Sequence, residues 1–124
     1  MDVKLLSGGD LAFIGDAYYE LAIRNYVLKK DITSLYRLHD ECVKFVSRDA
    51  QYKIIVNLMD KLSLEEQEIF KRGRNYNYKS KTKEYIWASG FEAVIGYLYL
   101  NGQKERLDEI IASAINIIED NNYE

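Results

Sequence analysis

The sequence contains no proline, one cysteine and one histidine in 124 residues. Without proline no helix is forced to stop, and the apolar residues recur at helical rather than alternating spacing. The single cysteine, Cys42, cannot form an intrachain disulfide. Cys42 and His39 are too few ligands for a zinc site, so a bound metal would have to be held by oxygen atoms, which favours Mg²⁺ or Mn²⁺. We therefore expect an all-α bundle without zinc.

The chain also lacks an apolar run long enough to span a membrane and a recognisable signal peptide. These absences lead us to expect a cytoplasmic protein with no membrane partner. A chain of this length is expected to form one domain, residues 1–124, that buries roughly two-thirds of its unfolded surface. Cys42 shares a helical face with Leu38 and Phe45, which favours a role as a small buried hydrophobic residue over a nucleophile.

Capping signals and apolar spacing divide the chain into five or six helices. Ser7 to Asp10 can cap the first helix, Thr33 can cap the second, and Ser63 to Glu66 has capping-box spacing. The expected helices are about 11–29, about 34–62 with a break near 47–49, about 63–74, about 82–101 and about 104–119, with a loop at 75–81. The first helix has an apolar stripe at Leu11, Ile14, Tyr18, Leu21, Ala22 and Leu28 and further apolar residues opposite, so we expect it to be central and buried.

Two carboxylates interrupt helical segments that are otherwise almost wholly apolar or small. Asp16 lies within residues 11–18, and Glu92 lies within residues 88–97. A carboxylate taken out of water is costly unless it is hydrogen-bonded, paired or bound to a cation. We therefore expect both side chains to be buried and, if their helices pack together, to form a site for a divalent metal.

The helical neighbours of these carboxylates leave two interpretations open. Glu20 lies one turn after Asp16, so the two side chains repel each other unless a cation is present, and Ser89 lies on the face of Glu92. A bound metal would resolve the repulsion. In the alternative, Asp16 caps a neighbouring helix and Glu20 pairs with Arg24, with no metal bound. Composition weighs these two interpretations about equally, since structural ion pairs also perturb carboxylates.

Positive charge is concentrated between residues 71 and 83, which hold six cations and no anion and leave 11 cations against 20 acidic residues elsewhere. Cations, amides and aromatic rings together can bind a phosphodiester backbone. The alternative is a solvated basic loop, because short basic runs are unspecific. The candidate RNA-binding residues are Lys71, Arg72, Arg74, Asn75, Lys79 and Lys81.

The segments around both carboxylates resemble a known family. Residues 11–21, with Gly-Asp-Ala followed by Glu-Leu, look like the signature helix of the ribonuclease III catalytic domain, and residues 90–100 resemble its second acidic helix. Leu38-His39, Phe45-Val-Ser47, Ala50-Gln51 and residues 71–75 are similar to the compact Mini-III subgroup. The resemblance covers nearly the whole chain, with its motifs in the family's order.

This resemblance implies a homodimeric endonuclease that requires Mg²⁺, or Mn²⁺ in its place, and cuts double-stranded RNA to 5′-phosphate and 3′-hydroxyl ends. For the Mini-III subgroup it implies action on the precursor of 23S ribosomal RNA, helped by a large-subunit ribosomal protein. The family's separate domain for binding double-stranded RNA is not expected in this chain. Tyr19 and Tyr26 either line the dimer interface or are ordinary surface aromatics.

The resemblance assigns Asp16 and Glu92 as the catalytic and metal-binding residues. Ala12 and Ser89 stand where full-length members carry two further carboxylates, so the number of metal ions is open. Glu20 or Ser89 is expected to support the metal through water, although Glu20 is equally a candidate for an ion pair. Because two acidic positions are lost, an alternative function also remains open, in which the same fold binds double-stranded RNA without cutting it.

Overall fold

The computed structural model describes residues 1–79 and 82–120. All regular secondary structure in those residues is helical, with no strand. This confirms the expected all-α fold class. Single 3-10 turns lie at Val3–Leu5 and Met59–Lys61. The six α-helices are α1 (Gly8–Leu28), α2 (Leu35–Val46), α3 (Arg48–Leu58), α4 (Leu64–Arg74), α5 (Lys83–Leu100) and α6 (Lys104–Glu119).

Serine residues fix most of the helix starts. Ser7 and Ser63 form capping boxes at α1 and α4, in which the serine side chain accepts from the third helical N–H and the acidic side chain there accepts from the serine N–H. Ser34, rather than the expected Thr33, caps α2. Ser47 ends α2 and also caps α3, so the long second segment is two helices that meet at this residue. The expected break is therefore confirmed.

Helix α5 forms the centre of the bundle, since every residue from Ala88 to Leu98 is buried. It packs against α1, α4 and α3, and α6 covers α3 and α5. Cys42 is a free, buried thiol, as its apolar neighbours predicted. None of the described helices is both long enough and apolar enough to cross a membrane.

Helices α1 and α5 touch through their backbones. A Cβ atom added to Gly15 would overlap the carbonyl oxygen of Glu92, and one added to Gly96 would overlap the carbonyl oxygen of Leu11. Only glycine allows this approach, because any side chain would push the two helices apart. The contact at Gly15 sets the neighbouring Asp16 beside the turn of α5 that carries Glu92.

Helix α1 is buried along one face only, which corrects the expectation of a central helix. Its buried residues follow the glycine contacts and are Gly8, Leu11, Ala12, Gly15, Tyr19, Ile23 and Val27. Phe13, Leu21 and Leu28 are exposed, although two of them belong to the predicted stripe. The apolar residues of α1 surround the helix, so their spacing does not predict which face is buried. The buried face is the one on which Gly15 contacts α5.

Replacing Gly15 by alanine is expected to lower the free energy of unfolding by about 3 kcal/mol, because the new methyl group meets backbone that cannot move aside. Urea denaturation followed by circular dichroism measures this. Gly9→Ala is the matched control in the same helix, since its methyl group would meet the movable ring of Tyr76. A Gly15→Ala protein as stable as Gly9→Ala would contradict the proposed role of the backbone contact.

Candidate active site

Asp16 from α1 and Glu92 from α5 line one cleft of about 160 Å³. The remaining lining residues come from the start of α1, the start of α3, the loop after α4 and the first half of α5. They are Gly9, Ala12, Phe13, Arg48, Tyr78, Tyr85 and Ser89. The structure therefore brings together the two carboxylates that the sequence singled out, although they are 76 positions apart in the chain.

The two carboxylates differ in burial. Glu92 is only 2% exposed, whereas Asp16 is exposed. The expectation that both would be buried is wrong for Asp16, because the residue follows the Gly15 contact and lies at the edge of the α1–α5 interface. One carboxylate thus forms the floor of the cleft, and the other lies at its solvent-facing rim.

Two side chains from the first turn of α3 hold Glu92. Arg48 donates from Nη1 to Oε1 of Glu92 over 2.9 Å, and Gln51 donates from Nε2 to Oε2 over 3.3 Å. Gln51 is itself buried and also donates to the carbonyl oxygen of Val46. The guanidinium group of Arg48 lies 4.5 Å from the centre of the Tyr85 ring. Sequence reasoning missed both partners of Glu92, since no local signal links α3 to α5.

Burial, and after it hydrogen bonding with Asp16, raises the pKa of Glu92 to about 8. Arg48 opposes this rise by stabilising the ionised form. A proton on Glu92 thus lowers the repulsion between the two neighbouring carboxyl groups when no divalent cation is bound. A divalent cation bound beside Glu92 would favour its ionised form.

The carboxylates fit one Mg²⁺ ion. The described part of the chain contains no cluster of three or more His, Cys, Asp or Glu side chains that could hold a metal. Mg²⁺ is nevertheless bound in many proteins by one or two carboxylates, with water and substrate phosphate completing its octahedron. Asp16 and Glu92 supply two such oxygen ligands at one cleft.

The expected supporting residues are engaged elsewhere. Glu20 pairs with Arg24 over 3.1 Å, which agrees with the ion-pair interpretation of that residue. Ser89 is buried and donates to the carbonyl oxygen of Tyr85, one turn earlier in α5, over 3.0 Å. The helix caps formed by side chains come from other residues, so the structure gives no support to Asp16 as a cap in the described chain.

The basic segment is more tied to the fold than its composition indicated. Arg72 donates to the carbonyl oxygens of Lys4 and Leu6 over 2.9 and 3.2 Å, and so fastens the N-terminal segment to α4. Arg72 therefore has a structural role in addition to its candidate role in RNA binding. Arg74 lies over the rings of Phe70 and Trp87, at 5.5 and 6.0 Å from their centres.

The other described candidates of the basic segment are exposed, as Arg72 also is. Lys71 is exposed and pairs with Glu68 over 3.5 Å, and Asn75 accepts from Arg74 over 3.1 Å. Lys79 is exposed, while Lys81 lies outside the described residues. The basic segment thus offers a mixture of structural and surface cations.

A row of aromatic rings connects this segment to the cleft. The ring centres of Tyr76 and Tyr78 are 5.1 Å apart, and those of Tyr78 and Tyr85 are 5.5 Å apart. Tyr85 in turn stacks with Arg48. Sequence reasoning noted the tyrosines of the loop but not their continuity with Glu92.

Replacing Glu92 by glutamine should remove a pH dependence of stability. The pKa of Glu92 is raised from 4.5 to about 8 in the fold, so between these values the folded protein holds a proton that the unfolded chain releases. The wild-type free energy of unfolding should fall as pH rises through this range. Glu92→Gln stays neutral, and we expect it to be more stable than wild type at pH 8 by at least about 1 kcal/mol, with little difference at pH 5.

Urea denaturation in the presence of EDTA at pH 5 and pH 8 provides the measurement. Glu68→Gln, which removes one charge from an exposed position on α4, is the control. A difference between wild type and Glu92→Gln that is the same at both pH values would show that Glu92 does not bind its proton as described.

Comparisons with known proteins identify the family of this chain. The family model of the ribonuclease III domain matches residues 9–103. The chain is 42% identical to a Mini-ribonuclease 3 from Clostridium tetani, over 96% of this chain and 83% of that protein. It is 40% identical to a Mini-ribonuclease 3 from Streptococcus pneumoniae, over 96% and 98% of the two chains.

A solved structure gives the same result for the fold. A crystal structure of a protein from Fusobacterium nucleatum superposes with a TM-score of 0.81 at 31% identity, covering 93% of this chain and 96% of the other. The region matched by the family model begins at the second residue of α1 and ends after α5, so it contains both carboxylates. The chain belongs to the ribonuclease III family, with the Mini-ribonuclease 3 proteins among its relatives, and is an endoribonuclease of that type.

Proposed function

We propose that the protein cleaves double-stranded RNA with one Mg²⁺ ion held by Asp16 and Glu92. The observation that carries this proposal is the convergence of the two carboxylates on one cleft from separate helices. Mn²⁺ has the same preference for oxygen ligands and is expected to substitute. When bound, the metal supplies a Lewis acid that polarises a phosphate oxygen and acidifies water.

The protein's own contribution is to position charge. Glu92 is fixed from one side by Arg48 and Gln51, so its carboxylate has a defined direction. Asp16 lies at the rim, where an incoming phosphate and its water can reach it. In-line attack on the phosphorus would leave a 5′-phosphate and a 3′-hydroxyl. Glu20 and Ser89 are proposed to act only through water, given their present partners.

The surface next to the cleft is suited to an RNA duplex. Lys79 and Lys71 are exposed cations, and the row of Tyr76, Tyr78 and Tyr85 leads from them to the cleft. The minor groove of A-form RNA presents phosphates and 2′-hydroxyl groups, so recognition is expected to follow shape rather than sequence. Because the rest of the chain is acidic, we propose weak binding that decreases steeply with salt.

The natural substrate proposed is the precursor of 23S ribosomal RNA, with a large-subunit ribosomal protein assisting. The support for this is the similarity to Mini-ribonuclease 3 proteins, together with the net charge of −3 of the chain, which is unfavourable for binding RNA without help. A partner that is bound to the RNA would supply affinity that this acidic chain lacks.

Asp16→Asn is expected to lower cleavage of a long RNA duplex by at least about 100-fold while keeping its binding affinity within about threefold of wild type, because the carboxylate acts on the metal and not on duplex shape. Gel analysis with Mg²⁺, Mn²⁺ or EDTA measures cleavage, and fluorescence anisotropy at several salt concentrations measures binding. Asp108→Asn, at an exposed position on α6, is the matched control.

Unchanged cleavage by Asp16→Asn would contradict the assignment of the site. A wild-type protein that binds the duplex but leaves it whole under both metals, even on precursor RNA carrying the ribosomal protein, would support the non-catalytic alternative. Binding that does not change with salt would contradict the proposed RNA surface.

We further propose that two copies associate through the exposed apolar face of α1 and the start of α2, since cutting both strands of a duplex requires two sites. This face contains Phe13, Leu21, Leu28, Leu35 and Tyr36. The tyrosines considered from the sequence are used within one chain instead, because Tyr19 is buried against the carbonyl of Phe45 and Tyr26 bonds to Glu119.

Sedimentation is expected to give twice the chain mass of 14.5 kDa for wild type. The double change Phe13→Glu and Leu21→Glu should shift the protein to the monomer, because burying two carboxylates in an apolar interface is strongly unfavourable. Leu64→Glu, an equally exposed leucine on α4, is the control and should leave the dimer intact. A monomeric wild type would exclude this interface.

A further inference from the structure

Arg48 is the one cation among the described residues that line the cleft. It is the first residue of α3, and Ser47 fixes the helix start by accepting a hydrogen bond from the N–H of Ala50. Its guanidinium group is bonded to Glu92 and stacked on Tyr85, at the distances given above. The Arg48 side chain lines the cleft and is nevertheless 39% exposed, so part of it is accessible to solvent.

Two carboxylates and one divalent metal leave no net positive charge of their own in the cleft to stabilise the negative charge of the substrate. One divalent cation neutralises Asp16 and Glu92, whereas a phosphodiester brings one negative charge and gains more as water attacks. Two-metal enzymes use their second ion for this added charge. Among the described residues no third acidic side chain groups with these two closely enough to form a larger metal site, and Glu20 is paired with Arg24.

The geometry of Arg48 is suited to that requirement. A guanidinium group carries five N–H donors in a planar fork, and the described structure uses one of them, at Nη1, for Glu92. A planar fork binds phosphate through two parallel hydrogen bonds. The stacking on Tyr85 holds the plane in a defined orientation before substrate arrives, which reduces the entropy lost on binding.

We propose that Arg48 is a catalytic residue that donates to a non-bridging oxygen of the scissile phosphate and takes the place of a second metal ion. This inference rests on the function proposed above. In the reaction, a bond forms between the water oxygen and phosphorus, the bond from phosphorus to the 3′ oxygen breaks, the water proton leaves to solvent and the 3′ oxygen takes up a proton. Arg48 transfers no proton in this step and contributes positive charge and hydrogen bonds.

A different role for Arg48 would be to hold Glu92 in position for the metal. The two roles differ in what the removal of Arg48 does to metal affinity. If Arg48 only positions Glu92, metal binding and cleavage should weaken together. If Arg48 contacts the phosphate, metal affinity should persist while the chemical step slows.

The experiment compares wild type, Arg48→Ala and Arg48→Lys, with Arg37→Ala as the control that removes an exposed guanidinium from α2, outside the cleft. Steady-state cleavage of an RNA duplex at several duplex concentrations and saturating Mg²⁺ gives kcat and KM, and a single-turnover measurement checks that the chemical step limits kcat. Electron paramagnetic resonance of free Mn²⁺ gives metal affinity without activity. For Arg48→Ala we expect kcat to fall by about 100-fold, with KM and the Kd for Mn²⁺ each within about threefold of wild type.

Arg48→Lys keeps the charge without the fork, and its kcat is expected to lie between those of wild type and Arg48→Ala. Thermal unfolding shows whether each variant is folded. If Arg48→Ala does not fold, kcat and Mn²⁺ affinity are compared between Arg48→Lys and wild type instead. An unchanged kcat, or Mn²⁺ affinity that falls in parallel with kcat, overturns the proposal. Wild-type protein that does not cleave overturns the proposed function and this inference together, whereas an active wild type with an equally active Arg48→Ala overturns the inference alone.

Discussion

The backbone contact between α1 and α5 is the constraint on which the rest of the structure depends. Gly15 and Gly96 let the two helices approach until each glycine meets a carbonyl of the other helix. At that separation Asp16 and Glu92 line one cleft, whereas helices held apart by side chains would leave the two carboxylates without a common ligand. The buried core around α5 keeps this approach fixed, so packing and site geometry are determined together.

Burying Glu92 is unfavourable by itself, and the bundle offsets it with polar partners from α3. Arg48 supplies a charge and Gln51 a neutral donor, so each carboxylate oxygen has a hydrogen bond. The pKa of Glu92 remains raised to about 8 in spite of Arg48. The interior of the cleft is therefore short of positive charge, which is the electrostatic condition that a divalent cation relieves. Stability gained elsewhere in the core sustains this unfavourable site.

Local signals in the sequence were sufficient for most of the fold. Capping serines and helical spacing placed α4, α5 and α6 within about two residues, the usual uncertainty of helix ends. The location of Asp16 and Glu92 at one cleft was also predictable, since each is an acidic residue within an otherwise apolar helical segment. The exposure of Asp16 could not be predicted, because the buried face of α1 depends on glycine contacts with α5. Likewise Arg48 meets Glu92, and Arg72 meets Lys4, only through tertiary packing.

The unequal burial of the two carboxylates has a chemical consequence. Glu92, held rigidly in the interior, gives the cleft a ligand of fixed position, which limits the reorganisation needed when a cation and phosphate bind. Asp16, at the rim, stays in contact with water and can exchange partners without disturbing the core. Two fully buried carboxylates would repel each other strongly and exclude the substrate, while two exposed ones would be screened by solvent and poorly oriented. One of each gives a site that is both oriented and accessible.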